Sequence, residues 1–347
     1  VFESEANEAA AVTVLNVPEI DGLMLVLPYA PDANYGMVTT KPMLRRLRDL
    51  SARLAKPIAF SLMSLPSLLC KVRDEEAFPY FVTPEDGIEA LAASRDFWRR
   101  RTEVQEKPAR IEVDRDQVER LLAGSAGKLT TLDACRVLQA YGIPVAEAAL
   151  SRSPEEAVQA ARRLGYPVAL KIESADISHK SDIGGVAVGL RDDQAVREGY
   201  RSIMEESARV APGARLDGVL VQSMAQGREV ILGARQYENF GPVVMFGLGG
   251  IHVEVLKDVS FRVAPITQRE SEEMVREIRA VRILEGVRGQ PPTDMGFLSG
   301  CLVRLAQLVS DFPQILEIDA NPVMVFPEGK GGLAVDARIM VGDPVTP

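Results

Sequence analysis

The chain has 347 residues, a length that suits about two domains, and its 46% hydrophobic content is enough to give each a core. With 49 acidic against 40 basic side chains, its formal charge is -9. That excludes general nucleic-acid binding, which needs a basic footprint, but not nucleotide binding, which needs only local positive charge. No apolar run approaches the roughly 18 residues of a membrane span, so neither nucleic acid nor membrane is an expected partner.

In chain order, residues 1 to about 105 alternate helix and strand patterns. A helix is expected over Glu5–Leu15, then a short apolar strand at Gly22–Leu27 (GLMLVL). Wholly apolar runs of this kind fit strands buried on both faces of a parallel sheet. Lys41–Leu54 places Leu44, Leu47, Leu50 and Leu54 on one helical side and arginines on the other. Strands are expected at Pro57–Met63 and Pro79–Val82. Thr83-Pro84 then opens a helix over Gly87–Arg101, with a cap residue followed by Pro at the first position. These are βαβ units.

Residues 106–125 are charged and short of apolar periodicity and read as a linker, with a short helix at Val118–Leu122. From 126 onward a second domain is expected, with a small subdomain over about 126–220 and a large one over about 221–347. Its helices are expected at Thr131–Tyr141, after Ser153-Pro154, at Asp192–Val210, Glu270–Arg282 and Gly300–Asp311. Its strands are expected at Val145–Leu150, Tyr166–Ile172, Val186–Leu190, Gly218–Met224, Glu229–Ala234, Val243–Phe246, Ser260–Pro265, Gln314–Ala320 and Leu333–Ile339.

The chemistry concentrates in VALKIESADISHKSDIGGVAVG, Val168 to Gly189. An apolar strand ends on Lys171, a polar loop carries Ser178, His179 and Lys180, and Gly184-Gly185 opens the next strand. Cation, flexible loop and paired glycines form a strand-loop-strand cradle for phosphate. In Glu317-Ile318-Asp319-Ala320-Asn321-Pro322, strand alternation puts Glu317, Asp319 and Asn321 on one face. Oxygen ligands two residues apart suit a hard cation such as Mg²⁺ that also bridges ATP phosphates; a solvated edge strand is the plain alternative. Asp336 adds an oxygen if its strand pairs with this one.

Other signatures fail. There is no G-x-x-x-x-G-K-[ST] loop. Gly247-Leu248-Gly249-Gly250 follows a strand but is not followed by a Rossmann helix. Cys70, Cys135 and Cys301 make no C-x-x-C pair, and with two histidines they cannot form a metal cluster. They suit buried thiols in a reducing, cytoplasmic location. The chain opens on Val1, as a piece of a longer polypeptide or a processed chain would.

Taken in order, YPVALKI, ISHKSDIGGV, VLVQSM with EVILGA, FGPVVMFGLGGIHVEVLKD, and EIDANPV with DARI resemble the ATP-grasp half of ADP-forming acyl-CoA synthetases, relatives of succinyl-CoA synthetase. Residues 1 to about 100 resemble the last, flavodoxin-like part of the CoA-ligase region. The resemblance implies an α/β chain, a partial flavodoxin-like parallel-sheet domain followed by an ATP-grasp domain. It implies that Lys171, Ser178, Lys180, Gly184 and Gly185 surround ATP phosphates, that Gln222 and Met224 border the adenine, and that Glu229 contacts the nucleotide or its metal. Asp319, Asn321 and Asp336 match Mg²⁺ ligands, and His179 matches a histidine that accepts the γ-phosphoryl group. ATP/ADP and Mg²⁺ are thus the implied cofactors. His252 reads as incidental.

The chain departs from the complete enzymes in lacking an upstream CoA-binding Rossmann motif and a second, HTG-type histidine. CoA and a carboxylic acid are therefore expected to enter through a region missing from this chain, by association with that region or in a homo-oligomer. An ATP-grasp carboxylate ligase and a nucleotide-sensing module stay open as alternatives.

Overall fold

The computed structural model describes residues 4–28, 37–63, 80–102, 107–177, 180–250, 258–287 and 289–343. It divides into two units, Val1–Gln105 and Glu106–Pro347.

The first unit is a three-stranded parallel sheet, β1 (Leu23–Pro28), β2 (Ile58–Met63) and β3 (Tyr80–Phe81), in that order. Leu23, Leu25 and Leu27 pack with Phe60 and Leu62 against helices Ser4–Leu15 and Met37–Leu54, whose Leu15, Leu44 and Leu47 are buried. The opposite face receives helix Pro84–Thr102, where Gly87 approaches Met24 so closely that a Cβ would lie 2.6 Å from its terminal methyl. Thr83 caps that helix, its hydroxyl accepting from the Asp86 amide at 3.2 Å. The parallel βαβ reading of this region matches the structure.

The second unit holds two sheets. The smaller is antiparallel in the order β5-β8-β6-β7, with β5 Ala148–Ser151, β6 Val168–Glu173, β7 Val186–Leu190 and β8 Gly218–Ser223. The larger runs β11-β10-β9-β12-β14-β4, with β13 paired to β12. Its strands are β4 Gly127–Lys128, β9 Arg228–Tyr237, β10 Gly241–Leu248, β11 Val259–Val263, β12 Ile315–Val325, β13 Gly332–Ala334 and β14 Ala337–Val341. Alternation assigns the faces. On β6, Val168, Leu170 and Ile172 pack on helices Pro154–Leu164 and Asp193–Val210, leaving Ala169, Lys171 and Glu173 on the other face. On β12, Ile318 and Ala320 join the core beneath helices Gln268–Glu277 and Met295–Asp311, leaving Glu317 and Asp319 opposite.

Several expectations shift. The 106–125 stretch holds helix Arg115–Leu122, capped by Asp114, with Val118 and Leu122 buried in the large core. Strand β8 ends at Ser223 and belongs to the small sheet, whereas β4 and helix Thr131–Ala140 pack with the large one. The helix expected over Glu270–Arg282 breaks into Gln268–Glu277 and Val281–Glu285. Asp258 accepts the amides of Arg279 and Ala280 at 2.8 Å and so ends the first helix and feeds the second. The expected strand Leu333–Ile339 splits at Val335-Asp336. Among the described residues, no helix is long and apolar enough to cross a membrane.

Candidate functional site

Between the two sheets of the second unit lies a cleft of about 700 Å³, within the usual size of a small-ligand site. The small sheet contributes Ala169 and Lys171 from β6, Val186 and Val188 from β7, and Gln222 from β8. Lys171 is only 7% exposed; its Nζ donates to the Val335 carbonyl at 3.0 Å and lies 3.3 Å from Oδ2 of Asp336. Gln222 is 3% exposed, and its Nε2 donates to the same carbonyl at 2.9 Å. That bond fixes the amide and leaves Oε1 buried without a partner. The break between β13 and β14 thus has a local purpose, because residues outside the ladder can turn their oxygens to the opposite sheet.

Lys180 is buried beside these groups. Its Nζ donates to the Thr131 hydroxyl and lies 3.9 Å from Oε2 of Glu173 and 4.0 Å from Oδ1 of Asp336. A 3₁₀ turn at Ser181–Ile183 follows and closes on Gly184 at φ 66°, the left-handed region that glycine tolerates. Gly185 is required by space. A Cβ there would sit 2.6 Å from Cγ2 of Ile172 and 2.8 Å from the Lys180 carbonyl. Its amide donates to that carbonyl at 2.8 Å, and its own carbonyl accepts from Ile172 at 2.7 Å. The glycine pair therefore folds the loop against β6 and is not among the residues lining the cleft. Ser178, His179 and His252 lie outside the described residues.

The large sheet contributes Glu229, Asp319, Asn321 and Met324, with Asp336 and Arg338 from the β14 edge. Gly249 packs onto Glu229, donating to its carbonyl at 2.8 Å, and a Cβ on Gly249 would lie 2.7 Å from Cβ of Glu229. Gly249 thus serves this close approach. Asp319 stands opposite Arg338 in the β12–β14 register, and the Asn321 amide donates to the Asp336 carbonyl at 3.1 Å. Burial pushes the Asp319 carboxyl above its ordinary range; Arg338 opposes this, and Glu317 and Asp336 add to it. Its local charge is thus short of positive partners. Met224, 42% exposed, stands at the rim.

Asp319, Asn321 and Asp336 fit a hard cation on donor chemistry, all being oxygen ligands aimed into one cleft. Among the described residues, no group of three or more His, Cys, Asp or Glu side chains could hold a metal ion, and this set has two carboxylates and one amide. An open, partial oxygen set is what Mg²⁺ shared with phosphate requires.

The structure brings Lys171, Lys180, Gln222, Met224, Glu229, Asp319, Asn321 and Asp336 to one cleft. Lys128, Thr131 and Arg338 also line it without having been expected from the sequence, and Glu173 lies behind Lys180 without lining it. Glu173 carried a signal, since it is two residues beyond Lys171 and so on the same strand face. Lys128 and Thr131 carried none, because their place depends on packing of the large unit against the loop. Burial, then Lys180 and Arg338, push the Lys128 ammonium down, and burial pushes the Cys135 thiol up to about 12.

An ATP-grasp domain model matches residues 120–341. The chain is 38% identical over 301 residues to 4-hydroxybutyrate–CoA ligase (ADP-forming) of Nitrosopumilus maritimus, covering 84% of this chain and 43% of that protein. It is 47% identical over 210 residues to the beta subunit of acetate–CoA ligase (ADP-forming) I of Pyrococcus furiosus, covering 60% of this chain and 90% of the subunit. It thus spans less than half of the longer relative and nearly all of the shorter one. An acetyl-coenzyme A synthetase 1 structure from Ca. Korarchaeum cryptofilum, in complex with coenzyme A and Ca-AMPCP, superposes with a TM-score of 0.63 at 42% identity. That match covers 66% of this chain and 100% of the other. A second structure of that enzyme, with Mg-AMPPCP and its phosphohistidine segment pointing towards the nucleotide binding site, matches at 0.57 and 38%. The two-sheet cleft, its motifs in order and these matches together place the chain in the ATP-grasp family, in its branch of ADP-forming acyl-CoA synthetases.

Proposed function

We propose that this chain is the ATP-binding and phosphoryl-transfer portion of an ADP-forming acyl-CoA synthetase, running acid + CoA + ATP ⇌ acyl-CoA + ADP + phosphate through a phosphohistidine on His179. The observation that carries this reading is the convergence of two buried lysines and an oxygen-ligand set on one cleft. Lys171 and Lys180 neutralise the phosphates, with Ser178 and the loop that Gly184 and Gly185 close around them. Val186, Val188 and Met224 offer apolar walls to the base, and Glu229 reaches the nucleotide or its metal. The unpartnered Oε1 of Gln222 is an acceptor, which suits the amino group of adenine and opposes the carbonyl of guanine. Asp319, Asn321 and Asp336 would hold Mg²⁺, which would offset phosphate charge. The His179 imidazole takes the γ-phosphoryl group as the bond to the ADP oxygen breaks. CoA and the carboxylic acid enter through a CoA-binding region that associates with this one, and the location is cytoplasmic.

The reading is tested by supplying a relative's CoA-binding portion in trans. ADP release that needs both CoA and the acid is expected. Release with the acid alone points to a carboxylate ligase, and binding without any release points to a sensor; either outcome rejects the proposal.

Asp319→Asn is expected to cut Mg²⁺-dependent ADP formation at least about 100-fold, since even outer-shell changes at metal sites cost about 10- to 100-fold. Stability should not fall with it. A carboxyl whose pKa is raised on folding adds stability below its unfolded pKa and loses it as pH rises through the folded one, so at neutral pH the charge is a cost. An equal or higher Tm with lost activity is the expected pair, read by thermal melts and a coupled ADP assay.

A further inference from the structure

We infer that Glu173 is the positioning residue for Lys180, a buried carboxylate that holds this ammonium at the phosphate end of the cleft. The inference rests on the phosphoryl-transfer reading above. Nothing in the sheet asks for a carboxylate here. Glu173 ends β6 beside buried Leu170 and Ile172, and its main chain bonds through its carbonyl to the Asp217 amide at 2.9 Å, whatever the side chain. At 2% exposure, its charge is costly unless it is used. Burial pushes its carboxyl up, and Lys180 is the first of the groups that oppose this.

The side chain faces two elements. Oε1 accepts the Leu132 amide at 3.4 Å, in the first turn of helix Thr131–Ala140, an end that favours negative charge. Oε2 has no hydrogen-bond partner, and Lys180 Nζ lies 3.9 Å from it. Glu173 does not line the cleft, whereas Lys180 does. It therefore acts on a bound phosphate through neighbours that do line the cleft, Lys180 and Thr131, and Lys180 is the charged one. The ammonium meanwhile donates to Thr131 from the same side. A pair at 3.9 Å confines the ammonium without engaging all its donors, so it can turn from Thr131 to an arriving phosphate and keep its counter-charge. The other charges around this joint are Lys128, Lys171 and Asp336, of which Lys128 also feels the Glu173 carboxylate.

The test is a double-mutant cycle with Glu173→Gln and Lys180→Ala in the whole chain. The amide is nearly isosteric and still accepts from Leu132. At saturating Mg-ATP, E173Q should slow single-turnover phosphorylation about tenfold while ATP affinity stays within about threefold. In the K180A background it should change the rate less than about twofold, since coupled residues are non-additive. Equal slowing in both backgrounds, or none in either, overturns the inference, because a purely structural carboxylate acts without regard to Lys180. Should the wild-type chain take no label, the phosphohistidine reading fails, and amide hydrogen exchange over residues 180–185 without ATP then decides this one. Faster exchange in E173Q but no further gain in K180A supports it. Equal gains, or no gain, sink it.

Discussion

Lys171→Met should weaken ATP binding about 10- to 100-fold and leave the protein folded. The expected loss follows from the place of the side chain. A charged hydrogen bond to phosphate is worth about 1.5–3 kcal/mol, and 1.4 kcal/mol is about tenfold in affinity. Lys171 is in the middle of the small sheet, paired on both sides by β7 and β8, so its Nζ has a fixed origin. Its partner Asp336 keeps 27% of its side chain exposed and is hydrated once the ammonium goes, so little stability is lost with the pair. Methionine fills a similar volume with an unbranched, adaptable stem. Calorimetric titration with Mg-ATP, beside a thermal melt, separates the two effects. Unchanged affinity with an unchanged melt would remove Lys171 from the nucleotide site.

The parts of this site that are local in sequence were the legible ones. Lys171, Asp319 and Asn321 sit where strand alternation puts them, and Asp336 follows once β12 and β14 pair, Ala320 facing Ala337. The parallel sheet of the first unit was equally plain from its apolar runs. What stayed hidden depends on residues far apart in sequence. Asp258 breaks a helix expected to be continuous by taking amides 21 and 22 residues away. Val335 leaves its strand because Lys171 and Gln222, 164 and 113 residues distant, both donate to its carbonyl. Strand β12 runs past Pro322, where a register shift between Ala320 and Val323 lets the ring sit without a missing ladder bond. Space around Gly185, which only the folded strand β6 defines, gives that glycine a packing role that its place in the sequence does not show.

His179→Ala should abolish phosphorylation altogether, the largest effect expected here. The chain contains two histidines, so a phosphohistidine must be on His179 or His252. His179 immediately precedes Lys180, whose ammonium reaches into the cleft beside Asp336. In the proposed reaction His179 takes the γ-phosphoryl group, whose charge Lys171 and Lys180 offset, and in-line transfer needs little beyond positioning and charge neutralisation. His252 is a spectator in this account, and its replacement by alanine should leave the label intact. The direct measurement is incubation of the wild-type chain and both variants with [γ-³²P]ATP and Mg²⁺, followed by acid and alkali stability of the bound label. Acid-labile, alkali-stable label in the wild type and His252→Ala, and none in His179→Ala, is the predicted result. Label that persists in His179→Ala would contradict it.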